Sequence, residues 1–220
     1  MAIVINGSGT VTGLAVGGLP DGTVDSGTIA TGTIVDADVA NLAASKLTGA
    51  LPAISGASLT DLPAGGITEV DVWRLTTSFS GNVNPISSNL ERPDEAGAGR
   101  LGTGMSVSTG IFTFPSTGVW RIDYHSNFSI NGDSRENYGY ISTTTNNSTY
   151  VNAAYLDAFI QQTNSNATFN SGSCSSILDV TDVTTCKVKF TSLKVTSSVL
   201  THGSSTYNST FFVFTKLGET

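Results

Sequence analysis

Two histidines, two cysteines and a few neighbouring carboxylates are the residues of this chain whose types and spacing could do chemistry. His125 falls on the polar side of an alternating stretch, and His202 precedes Gly203 in a turn-forming run. Two histidines leave little for acid–base catalysis, and each is expected to be exposed or hydrogen-bonded. Cys174 and Cys186 lie on either side of an apparent hairpin. They could pair across it, or remain two free thiols in a protein made in a reducing compartment. Asp179 and Asp182 flank a turn, and Asp94-Glu95 stand in a Pro/Gly-rich loop. A calcium site needs several converging oxygens, and no Asp-x-Asp-x-Asp-Gly run supplies them. Glycoside hydrolysis needs two carboxylates across a groove, and no pair in the sequence is marked for that role. The sequence has no P-loop, no Gly-x-Ser-x-Gly elbow, no His-Glu-x-x-His and no Cys-x-x-Cys. The expectation is a non-enzymatic chain with no cofactor and no metal. Sequons at Asn127, Asn147, Asn166 and Asn208 are expected by chance in so Asn/Ser/Thr-rich a chain, and are read as unmodified.

Composition narrows the partners. The 220 residues carry a net charge of −7 with only ten Lys and Arg. A phosphate-binding surface needs clustered cations, so nucleic acid is excluded as a partner. The densest basic group, Lys187, Lys189 and Lys194, reads as solvated positions along a strand. No apolar run approaches a membrane span, and membrane insertion is not expected. The segment Met1–Gly7 has no basic region and no long apolar run, which predicts no signal peptide.

The chain changes character near residue 66. The first aromatic residue is Trp73. Rings fill β-sheet cores because each buries far more area than Ala or Val. Residues 1–66 therefore lack the material of an ordinary globular core. Their grammar is different: Ser8-Gly9-Thr10-Val11, Asp21-Gly22-Thr23-Val24, Ser26-Gly27-Thr28-Ile29 and Thr31-Gly32-Thr33-Ile34 each read as a turn leading into a short extended piece. The spacing is too irregular for a solenoid. One short helix is expected from Asp36 to Leu47, capped by Asp36 and stopped by Gly49, with Val39, Leu42 and Leu47 near one face. Leu51 and Ile54 follow in an extended, turning stretch rich in Gly and Pro. The aliphatic side chains here bury too little to offset the ordering of the backbone. Residues 1–66 are thus expected to be a shaft, ordered only against copies of itself or a larger particle. Val39, Leu42, Leu47, Leu51 and Ile54 are its assembly candidates. The alternative for the helix is packing on the head of its own chain.

Residues 67–220 read as strand after strand. Trp120, Ile122, Tyr124, Phe128 and Ile130 share one face of a predicted strand, opposite Arg121, Asp123, His125 and Asn127. Other strands are predicted around 72–79, 138–144, 150–161, 174–178, 187–195 and 210–217. Turn residues separate them, which predicts a mostly β fold: an antiparallel sandwich or jelly roll.

A family resemblance adds to this. Thr109-Gly110-Ile111-Phe112-Thr113-Phe114-Pro115-Ser116-Thr117-Gly118-Val119-Trp120 resembles the Gly-x-Phe-x-x-Pro-x-x-Gly-x-Tyr signature of complement globular-head and tumour-necrosis-factor-like jelly rolls, with Trp120 at the Tyr position. Ile177–Val183 with Val188 is similar to their penultimate hairpin, and Ser209–Phe214 to their closing strand. The resemblance implies a jelly roll of about ten strands that forms a homotrimer. Phe211, Phe212 and Phe214 put rings on both faces of one strand, as suits burial by the core on one side and by a neighbour on the other; the alternative is a core enlarged toward loops. The Leu47–Thr60 stretch resembles the tail-fibre and appendage proteins of tailed bacteriophages. Together these imply a virion protein, docked by its N-terminus on other virion proteins, whose head meets a host glycan or outer-membrane protein. A capsid-decorating trimer, or a secreted complement-like ligand, are the alternatives. On a three-fold axis either histidine could form a ring holding a metal or an anion. Binding loops are expected at 82–104, 131–137, 146–149 and 163–173, with Asn131, Asp133, Asn146, Asn147 and Asn164 as candidates.

Overall fold

The computed structural model describes residues 66–220, together with Ile29, an exposed residue in a bend. The shaft positions Val39, Leu42, Leu47, Leu51 and Ile54, and the helix expected over 36–47, lie outside the described residues.

The described chain forms thirteen strands: β1 (Val70–Leu75), β2 (Phe79–Ser80), β3 (Leu90–Glu91), β4 (Ser106–Ser108), β5 (Ile111–Thr113), β6 (Gly118–Ile130), β7 (Ser134–Thr144), β8 (Val151–Ile160), β9 (Thr168–Val180), β10 (Lys187–Phe190), β11 (Leu193–Lys194), β12 (Leu200–Thr201) and β13 (Phe211–Gly218). They make two antiparallel sheets. Sheet 1 runs β2-β12-β6-β13-β1-β3, with β9 on the other side of β6; sheet 2 runs β11-β7-β10-β5-β4, with β8 on the other side of β7. Take β1, β5, β6, β7, β8, β9, β10 and β13 as the eight principal strands. Sheet 1 then has the order first-eighth-third-sixth, and sheet 2 second-seventh-fourth-fifth. That double Greek key is a jelly roll. The five strands beyond these eight are pieces of two or three residues at the margins, which makes thirteen where about ten were expected.

Three sequence expectations are corrected in detail. The strand expected at 187–195 breaks in two, because Ser192 exchanges backbone hydrogen bonds with Val83 rather than with β7. β9 starts at Thr168 rather than Cys174, so half of the expected 163–173 loop is strand. Its pairing with β6 runs unbroken from Ile130 opposite Thr168 to Gly118 opposite Val180. A long partner overrides the turn-like composition of Asn170, Ser171 and Gly172. Likewise β7 begins at Ser134, and Asn137 is fully buried, donating to the Ala158 carbonyl at 2.9 Å.

The core lies between the sheets and is dominated by rings. Phe190 stacks on Phe212 with centroids 4.0 Å apart, and Phe112 packs among Trp73, Phe190, Phe212 and Phe214. Trp120, Ile122, Tyr124 and Phe128 all point inward, as the alternation of β6 requires. Tyr124 brings a hydroxyl into this core and donates it to the Thr191 carbonyl at 2.9 Å. Burial pushes that phenol well above its ordinary range. The ring fits only because position 139 has no side chain. A Cβ on Gly139 would stand 2.6 Å from the Tyr124 ring and 2.5 Å from the Thr191 oxygen. Gly139→Val is expected to destabilise the domain by about 3 kcal/mol, the upper part of the overpacking range, read as a lowered denaturant midpoint.

Both cysteines are free: Cys186 is buried and Cys174 half-buried. Burial pushes the Cys174 thiol up to about 11, which keeps it protonated and unreactive at neutral pH.

Candidate assembly face

The antiparallel registers lay the outward residues of sheet 1 in rows across β1, β13, β6 and β9. One row is Arg74, Phe211, His125 and Ser173; the next is Val72, Val213, Asp123 and Ser175; the next is Val70, Thr215, Arg121 and Ile177. Toward the other end, Phe169 lies opposite Ser129 and stacks on His202, with ring centroids 5.0 Å apart. Phe211 stacks on His125 at 5.1 Å. Apart from Arg74, Arg121, Asp123 and His125, these rows consist of Val, Phe, Ile, Ser and Thr. Ile177 is 64% exposed and Phe169 59%.

Its arginines are held by acids of the same chain. Arg121 pairs with Asp123 at 3.0 Å, and Ser175 also donates to Asp123. Arg74 is fully buried. It is closed off by Glu91 and Asp94 at 2.7 Å each, and by Glu95 and the Ser205 carbonyl. A part-apolar sheet face whose arginines are paired within the chain is suited to covering by another surface.

Of the three closing-strand rings, Phe212 and Phe214 are fully buried in their own domain, because their alternation points them between the sheets. They cannot touch a partner. Only Phe211 faces outward. The other outward residues, Val70, Val72, Val213, Ile177 and Phe169, escape sequence reading because they meet only through registers between distant strands. The alternation of Ser173, Ser175 and Ile177 was the one local sign.

Both histidines belong to this face. His202 Nε2 lies 2.5 Å from Ser129 Oγ. Burial lowers both imidazoles below their ordinary value. The sign follows. The unfolded chain takes up protons first, so this stability is complete above the ordinary imidazole value of about 6.5 and is lost as pH falls below it. The double variant His125→Gln, His202→Gln is expected to flatten that part of a melting-temperature profile recorded between acid and neutral pH.

The expected binding loops divide between the two ends of the sandwich. Asn131 and Asp133 lie in the β6–β7 turn, and both accept hydrogen bonds from Gln162 after β8. Asn164 follows in that same β8–β9 loop, where its side chain accepts from the Asn166 amide. Asn146 and Asn147 are at the other end, where Asn147 donates to the Thr185 carbonyl. That is also where the chain enters β1 and leaves β13. Asn146 Oδ1 is occupied by its own turn, accepting from Ser148 N, Ser148 Oγ, Thr149 N and Thr144 Oγ1. The five residues therefore do not form one site. The 82–104 loop is likewise tied down. Asp71, almost fully buried, accepts from Arg92 twice, from Trp73 Nε1 and from Met105 N, all within 2.9 Å. Glu69 accepts from Thr103 N and Gly104 N. Asp94 and Glu95 are spent on Arg74, and Asp182 on Thr184. Among the described residues, no three His, Cys, Asp or Glu are grouped to hold a metal.

No family model matches the sequence, and no curated protein matches it. Among solved structures the chain is similar to murine APRIL, with a TM-score of 0.49 and 13% identity over 68% of this chain and 98% of that one. It is similar also to the Eiger TNF of S. frugiperda, with a TM-score of 0.49 and 12% identity over 69% and 93% of the two chains.

Proposed function

We propose that this chain is a virion structural protein: a homotrimeric fibre of the tail-fibre type, docked by its N-terminal segment and presenting the jelly-roll head to a host surface. The carrying observation is the part-apolar outer face of sheet 1, with its arginines paired within the chain, which offers each head a surface for its copies. The composition of residues 1–66 supports the docking role, since a segment without a single ring needs partners to become ordered. The end holding Asn131, Asp133 and Asn164 lies opposite the end where the chain enters, which favours it over the Asn146 end for contact with a glycan or outer-membrane protein. The role is binding and assembly, without catalysis or cofactor, in a particle assembled in the bacterial cytoplasm.

A head fibre or shell-decorating trimer uses the same face and the same docking segment. A secreted complement-like ligand is equally compatible with the fold, and only the Gly/Thr-rich segment favours the fibre over it. Immunogold electron microscopy of particles, with an antibody against residues 67–220, tests the reading. Label at the tail supports it, label over the shell replaces it with the decoration role, and unlabelled particles refute both. Deleting residues 1–66 is expected to leave a soluble head that no longer incorporates.

A further inference from the structure

The β6–β7 turn carries the chain from sheet 1 to sheet 2 through three residues, Asn131, Gly132 and Asp133. Among the described residues Asn131 is the one asparagine followed by glycine; the chain's other Asn-Gly pair, Asn6-Gly7, lies outside them. Asn131 is exposed. Its carboxamide has a single partner. Oδ1 accepts from Gln162 Nε2 at 2.5 Å, and Nδ2 donates to no group among the described residues. Gly132 takes a φ of 150°, and a Cβ there would meet nothing nearer than the Ile130 side chain at 3.9 Å. Its amide nitrogen likewise donates to no group among the described residues. Other turn asparagines are placed differently. Asn146 is locked by the four hydrogen bonds to its Oδ1 and precedes Asn147. Asn164 accepts from Asn166 N and precedes Ser165.

We infer that Asn131 is a site of intramolecular deamidation, a modification the head acquires with age. The amide nitrogen of Gly132 attacks Cγ of Asn131 and gives up its proton. The Nδ2 group leaves as ammonia, and a succinimide ring closes. Water then opens the ring at either carbonyl, giving aspartate or isoaspartate. No oxidant, reductant or second protein is consumed. The reaction is favoured because nucleophile and electrophile are one residue apart in the same chain. Glycine lets them meet, since it has no Cβ to crowd its nitrogen and populates both signs of φ. The products change this end of the head in two ways. A carboxylate replaces a neutral amide close to Asp133, whose Oδ1 already accepts from the Gln162 backbone amide. The isoaspartyl form also adds a methylene to the main chain of a connection only three residues long. Both changes bear on the bond from Gln162 to Asn131, which ties this turn to the segment after β8. The chemistry belongs to the head itself, so the inference does not rest on the fibre reading.

The test incubates the full chain at mildly alkaline pH and maps tryptic digests over time by mass spectrometry. A synthetic peptide of residues 122–135, the tryptic fragment that holds Asn131, serves as the clock in the same buffer. Conversion of Asn131 is expected to be at least about tenfold faster than that of Asn127 in the same fragment, or of Asn164, with isoaspartate and aspartate both formed. The folded chain should run within about tenfold of the free peptide. Gly132→Ala should slow conversion about tenfold, and Asn131→Gln should end it. Circular dichroism confirms that each variant is folded, and Asn131→Gln leaves the glycine in place. A chain that keeps Asn131 intact while the peptide is consumed would overturn the inference. So would conversion no faster than at Asn164, or a rate unchanged by Gly132→Ala. Aspartate as the sole product would overturn it too, because it marks direct hydrolysis without the ring.

Discussion

Aspartate in place of Phe211 is expected to yield a folded head that is monomeric, where the native chain is proposed to form a trimer. Phe211 sits between Arg74 and His125 in the central row of the outer face of sheet 1. Its ring rests on His125 at the surface and takes no part in the core between the sheets. In an isolated head an aspartate there meets water, so the cost to folding is small, within about 1 kcal/mol. In the assembly the same carboxylate would be desolvated, and near an axis it would face its own copies. A buried, unpaired charge costs several kcal/mol per ion, and like charges add to it. The loss is ample to dissociate a trimer at micromolar concentration. Light scattering after size exclusion gives the mass, and circular dichroism reports the fold. A variant that is still trimeric would remove this face from the assembly. Phe212→Asp is the contrast: it buries a charge in the ring cluster and should not fold.

The alternation of β6 and the turn residues around it made the antiparallel sandwich legible, because period-2 patterning reflects which side chains must leave water. The same rule puts the rings of Phe211, Phe212 and Phe214 on both faces of one strand, since adjacent residues point to opposite sides. The sequence could not say which face was the core and which the surface. What stayed hidden was everything set by register. Val70, Val72, Val213 and Ile177 are unremarkable one at a time, and become one surface only when β1, β13, β6 and β9 are laid side by side. Tyr138, Tyr140 and Tyr155 are the same case, since their rings meet through pairing of β7 with β8. The polar loop residues misled for a different reason. Asn and Asp side chains mark loops because they bond to nearby backbone. Asn146 and Asp182 spend themselves in that way, which leaves less of them for a ligand.

Replacing Arg74 with methionine is expected to cost the head about 3 kcal/mol. Arg74 is fully buried although it stands on the outer side of β1, because the segment after β3 and the turn at Ser205 close over it. Its guanidinium binds Glu91 through Nε and Nη2 at 2.9 and 2.7 Å, and reaches Asp94, Glu95 and the Ser205 carbonyl as well. One side chain thus joins β1 to the segment after β3 and to the turn at Ser205. Removing one member of a buried charge pair costs about 3–5 kcal/mol, mainly by leaving its partners uncompensated. The lower figure applies here. Glu91 and Glu95 are more than a third exposed and Asp94 is 78% exposed, so the acids regain water once the arginine is gone. Lysine should restore only part of the loss, since an ammonium cannot reproduce the fork that spans Glu91 and Glu95. The decisive measurement is a double-mutant cycle with Glu91→Gln, read by denaturant unfolding. A coupling of at least about 1 kcal/mol is expected, and additive effects would show that Arg74 contributes by filling space rather than by tying the acids to the sheet. The same cluster decides whether the Phe211 variant can be interpreted. Arg74 is the neighbour of Phe211 in the central row, and while its acids hold it, a new aspartate at position 211 finds no free lysine or arginine in that row.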